Sequence, residues 1–174
     1  MDTLKNSIIN LLLTCMLVSC DSQKPAANMK IENYYEKCRS LVLSENKPYE
    51  EYVFKVMKKE IIELHATYLG SIKTVKGDTL KFLNSINYFG LYEDSKRANG
   101  AVILYNEDDR FLGMYQVGNA NSVAAKIEGT NLVFDYNNGN CNQITLISFK
   151  DSIPKQIFVN CTKEGGDLYT FTQE

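Results

Sequence analysis

The chain has 174 residues, 44% of them apolar, and sets 19 basic side chains against 21 acidic ones for a formal charge of −2. That length suits one domain with a real hydrophobic core. The nearly neutral balance gives no electrostatic basis for binding nucleic acid.

The first element in chain order is a leader. Met1 to Asn6 carries one Lys, and an apolar run from Ile8 to Val18 follows, broken only by Asn10 and Thr14. A charged start, a short apolar middle and a small residue before the cut describe a secretory signal. The run is shorter than the roughly 20 apolar residues that span a bilayer. It ends Leu17-Val18-Ser19-Cys20, which resembles the lipobox of bacterial lipoproteins: an aliphatic residue, a tolerant position, a small residue, then Cys. The resemblance implies that residues 1–19 are removed and that the Cys20 thiol takes a diacylglycerol, often with a third acyl chain on the new amine. It also implies a domain held at the cell envelope, outside the cytoplasm, with a membrane as its first partner. Each buried CH₂ contributes about 0.8 kcal/mol, so two or three chains anchor where one would not. Residues 20–28 then form the lipidated Cys and a polar tether containing Pro25, and 29–174 form a single domain.

Two helices are expected next. Ile31, Tyr34, Tyr35, Cys38, Leu41 and Val42 recur at helical spacing, which predicts a helix over about Lys30 to Leu43. Pro48 suits a first helical position, Glu50 and Glu51 suit a first turn, and Val53, Met57, Ile61, Leu64 and Tyr68 mark one face of a second helix ending near Gly70.

From Gly70 the period shortens to two. Ile72–Val75 and Leu80–Leu83 flank the hairpin turn Lys76-Gly77-Asp78. Ile86–Tyr92 reads as a strand, although Leu80–Phe89 can also be read as a short helix. Ala101–Tyr105, the turn Asn106–Arg110 and Phe111–Val117 follow, then strands near Asn131–Tyr136, Gln143–Phe149, Gln156–Cys161 and Leu168–Thr172. Short strands with polar turns and no helical spacers predict antiparallel pairing. The expected fold is α+β: two N-terminal helices on a curved antiparallel meander that is open or barrel-like.

Five cysteines set the redox arithmetic. Cys15 leaves with the signal and Cys20 is spent on lipid, so Cys38, Cys141 and Cys161 remain in an oxidising compartment. Cys141 and Cys161 are equidistant from Asp151, inside the turn Lys150–Pro154, so a β-hairpin would place them opposite each other within disulfide reach. Pairing Cys38 with either is the rival, and otherwise Cys38 falls on the apolar stripe of the first helix as a buried thiol.

The sequence holds no legible catalytic constellation. His65 is the single histidine, without a second to complete a common zinc set. No Ser sits in a nucleophile elbow and no Gly-rich loop opens a helix. Glu93-Asp94 and Glu107-Asp108-Asp109 fall in predicted turns without calcium-loop spacing, and Lys96–Gly100 reads as a solvated basic connection. No metal or other cofactor is expected, and no enzyme. A signal, a lipidated Cys, a compact β-rich domain and a disulfide are similar in general form to small immunity-type lipoproteins and to lysozyme-inhibitor lipoproteins. Ala98-Asn99-Gly100-Ala101-Val102 only loosely resembles one inhibitor loop, and no residues are carried over. The expectation is a non-enzymatic envelope binder directed at a toxin or lytic enzyme. A lipocalin-like carrier of an apolar ligand and a structural or assembly lipoprotein are the alternatives.

Overall fold

A computed structural model describes residues 31–57, 61–137 and 139–173. The expected signal, Cys20 and the expected tether lie outside the described residues. One helix, α1 (Ile31–Glu45), opens the domain. Among the described residues ten strands follow: β1 (Glu51–Met57), β2 (Ile61–Lys73), β3 (Thr79–Gly90), β4 (Arg97–Tyr105), β5 (Phe111–Gly118), β6 (Lys126–Glu128), β7 (Asn131–Asp135), β8 (Ile144–Ser148), β9 (Gln156–Asn160) and β10 (Gly166–Thr172). They form a seven-stranded sheet in the order β1-β2-β3-β4-β5-β10-β9 and a three-stranded sheet in the order β6-β7-β8. Every pairing is antiparallel.

The antiparallel pairing stands, one helix with a mostly antiparallel sheet structure fits an α+β or mostly-β class, and the Leu80–Phe89 ambiguity resolves as strand. The expected single meander runs only from β1 to β5, because β10 rather than β6 follows β5 and β6–β8 form a second sheet. The second helix does not stand: its residues form the hairpin β1–β2. Tyr52, Val53, Phe54, Ile62, Thr67, Tyr68 and Ile72 are β-branched or aromatic and suit a pleated surface. The helical spacing arises because the run spans two strands and both faces of the sheet: Val53 of β1 faces away from α1, and Leu64 and Tyr68 of β2 face it. Leu64, Ala66 and Tyr68 pack under α1, whereas Leu69 and Ile72 enter the opposite core. A bulge between Tyr68 and Gly70, with Gly70 at φ 115°, inserts Leu69 and reverses the parity.

The inner face of the large sheet packs on the small sheet. Phe82, Tyr115, Phe134 and Phe149 are fully buried there, with Phe82 and Phe149 edge-to-face at 4.8 Å between ring centroids. Tyr115 donates its hydroxyl to the Pro154 carbonyl at 2.5 Å, which satisfies the one polar atom it carries inside. The sheets also meet at their edges. Ile127 of β6 lies against Gly70 of β2. At the other seam Asn142 N–H donates to the Cys161 carbonyl at 2.9 Å and Asn160 N–H donates to Thr145 Oγ1 at 2.9 Å. The disulfide Cys141–Cys161 bridges that seam, with Cα atoms 4.3 Å apart. The bond matches the expectation, but its setting differs. β8 pairs with β7, and β9 pairs with β10, so the two strands belong to different sheets rather than to one hairpin. Cys38 is free and buried.

Candidate functional site

Helix α1 lies on the outer face of the large sheet. Cys38 and Val42, one turn apart, pack with Leu43 on Leu64, Ala66, Tyr68 and Leu83. At about 1.5 Å per residue a helix of this length covers only part of a sheet this wide, and the outer face of β3–β5 beside it is left as a groove of about 510 Å³. Strand register makes its floor. Ser85 stands opposite Ala101, Asn87 opposite Asn99, Ala101 opposite Gln116, and Ile103 opposite Met114. The small side chains at 85 and 101 leave the depression, and the amides at 87, 99 and 116 make it polar. Tyr35, Glu36, Arg39 and Ser40 of α1 form one wall, and Tyr105, Asp109 and Phe111 close one end.

The polar groups of this groove are partly committed. Gln116 Nε2 donates to the Gly100 carbonyl at 2.7 Å, and Arg39 Nε donates to the Tyr35 carbonyl at 3.2 Å. Burial pushes the Tyr105 phenol above its ordinary range, with Arg39 opposing. Asn87 Oδ1 is buried and has no hydrogen-bond partner among the described residues. An unpaired buried acceptor costs about 1–3 kcal/mol. The groove thus presents neutral donors and acceptors beside the Arg39 guanidinium and the Glu36 and Asp109 carboxylates. That chemistry suits a ligand with its own alternating donors and acceptors, such as an extended peptide backbone.

The same outer face carries an apolar strip farther along. Met114 of β5 pairs with Thr172 of β10, and Leu168 of β10 pairs with Phe158 of β9, all on one parity. Leu168 is 59% exposed and Phe158 47%, and Ile144 and Leu146 are likewise exposed on β8 beyond the seam. Leu168 and Phe158, directly opposite each other, form an exposed apolar pair of a kind found at protein contact surfaces.

A cluster of charged residues assembles elsewhere, on the inner face of β1–β3. Glu63 is 5% exposed. It accepts from His65 Nε2 at 2.5 Å and pairs with Lys55 Nζ at 3.0 Å and Lys96 Nζ at 3.2 Å. Glu51 takes the other imidazole nitrogen at 3.1 Å, and Tyr88 meets the ring edge-on. The His65 hydrogen bond lowers the Glu63 pKa to about 2 against the opposing effect of burial, with Lys55 and Lys96 assisting. A carboxylate held that acidic is a weak base, and its acceptor sites are filled, so the cluster is an ion-pair network.

The other sequence candidates scatter. Glu93 and Asp94 sit in a short 3₁₀ turn, where Glu93 pairs with Lys96 at 2.7 Å. Glu107–Asp109 form the β4–β5 turn, with Asp109 on Lys81 at 2.6 Å. Arg97–Gly100, read as part of a connection, open β4 instead, because their alternation continues the strand. Sequence reasoning missed the groove and the Glu63 network. Among the described residues no group of three or more His, Cys, Asp or Glu is arranged to hold a metal. The chain matches no protein-family model, no curated protein and no solved structure.

Proposed function

We propose that this protein is a lipid-anchored binding module of the bacterial cell envelope. In this reading Cys20 carries the anchor, the tether lifts the domain off the membrane, and the groove beside α1 receives a polar segment of a protein partner. A toxin or lytic enzyme acting on the envelope is the class of partner favoured by the general form of the chain. The observation that carries the reading is the groove itself: amides from three adjacent strands converge on an open depression beside Arg39. The apolar strip on the same face supports a protein over a small solute, since interfaces combine an apolar area with a polar surround. An interior filled by Phe82, Tyr115, Phe134 and Phe149 supports surface binding over carriage of an apolar ligand within the sheets.

Asn99→Trp provides the test, because Asn99 is exposed on the groove floor and a large ring there fills the space without entering the core. Solubilised envelope is passed over immobilised wild type and over the variant. A stoichiometric protein retained by the wild type and lost with Asn99→Trp supports the reading. Equal retention by both places the binding surface elsewhere, and co-purified lipid in the wild type supports the carrier instead.

A further inference from the structure

The two sheets close on each other at β2 and β9, and that closure leaves one long edge uncovered. Among the described residues β1 is the outermost strand of the large sheet and pairs only with β2, through seven consecutive residues without a register shift. β6 meets β2 at Gly70, beyond Thr67 where the β1 ladder ends, so it does not cover β1. Alternate N–H and C=O groups of an edge strand point away from the sheet, and a straight edge without Pro or bulge is a template for another strand. Side chains of β1 alternate across the sheet. Glu51, Val53 and Lys55 share the inner face, and Tyr52 and Phe54 share the outer face that carries α1. Val53 is 45% exposed, and the Glu51 and Lys55 side chains are 55% and 54% exposed.

This pattern is self-complementary. We propose that β1 pairs antiparallel with β1 of a second copy about a two-fold axis through Val53, joining the two large sheets edge to edge. In that register Glu51 faces Lys55 of the second copy, Lys55 faces its Glu51, and Val53 faces Val53. On the other face Tyr52 meets Phe54, an aromatic cross-strand pair of the kind that stabilises sheets. A two-fold axis perpendicular to the sheet requires a residue at its centre. Centring on Tyr52 sets Glu51 against Val53, and centring on Phe54 sets Lys55 against Val53. Only Val53 brings the opposite charges together. The existing partners do not block this, since half-exposed Glu51 and Lys55 can bridge His65 or Glu63 and the second copy at once. An isologous two-fold contact of this type closes at a dimer, and anchoring in one membrane would raise the local concentration that favours it.

The test uses the full chain, purified with its lipid in detergent. Val53→Cys places two thiols directly opposite across the axis, and Lys73→Cys at the far end of β2 serves as the control. Mild oxidation is expected to give covalent dimer from Val53→Cys and not from Lys73→Cys. Glu51→Lys or Lys55→Glu, each added to Val53→Cys, sets like charges opposite each other and should cut that yield about tenfold. Mixing the two charge variants should restore it, because each then meets its complement. Circular dichroism of each single variant verifies that the sheet persists. Equal cross-linking at 53 and 73, or a mixture no better than its components, overturns the proposal.

Discussion

Cys141 and Cys161 join the edge strand of one sheet to the edge strand of the other, with their Cα atoms 4.3 Å apart. Among the described residues no ladder joins β8 to β9, so this bond and the two hydrogen bonds beside it, Asn142 N–H to the Cys161 carbonyl and Asn160 N–H to Thr145 Oγ1, hold the seam. Replacing both with Ser should lower stability by about 3 kcal/mol in the chain-entropy treatment of a loop this size. Loss of protection in hydrogen exchange should concentrate in β6–β8, which β9 would no longer hold. Urea unfolding with exchange mass spectrometry measures both. Uniform loosening of all ten strands would contradict the seam.

Glu63 gives the fold an acid-sensitive contribution with a defined sign. Its folded pKa is lowered to about 2, first by the His65 hydrogen bond and then by Lys55 and Lys96. Folding therefore favours the ionised form. The stabilisation is fully present above the unfolded value of about 4.3 and is lost as pH falls toward 2. Glu63→Gln should cost about 1–3 kcal/mol near pH 6. The gap between wild type and variant should narrow as pH drops through that window. Urea titrations at about pH 6 and pH 2.5 compare them, and a constant gap would show that Glu63 acts through packing alone.

Much of the fold is legible in the sequence because local chemistry and tertiary packing agree there. Cys38 and Val42 mark α1, and Lys76-Gly77-Asp78 marks the β2–β3 turn. Where one strand serves two cores the agreement fails. Leu64 and Ile72 of β2 bury themselves on opposite faces, and the Gly70 bulge between them erases the alternation that identifies a strand. That misreading hid the Glu63 network as well. Two residues apart, Glu63 and His65 point to different sides of a helix but to the same side of a strand. The groove is harder to see, since Ser85, Asn87, Asn99 and Gln116 meet only through the register of three strands. The available signal is the pair Ser85 and Asn87, a small and an amide side chain two residues apart and so on one face of a strand. β6 has three residues, too few to show any period.

The proposed anchor rests on one thiol. Cys20→Ala should abolish incorporation of labelled palmitate and leave unprocessed precursor, because lipid transfer and cleavage depend on that side chain. Labelling of the variant at wild-type level would remove the anchor from the account.

The groove is the centre of the functional proposal, and site-specific photocrosslinking in intact cells addresses it most directly. A benzophenone amino acid placed at Asn99, on the groove floor, is compared with one at the exposed Lys163 in the β9–β10 turn. The account predicts a discrete protein adduct from position 99, absent from position 163 and lost when Arg39→Glu replaces the guanidinium of the groove wall with a carboxylate. Matching adducts from both positions, or an adduct at 99 indifferent to Arg39→Glu, would contradict it.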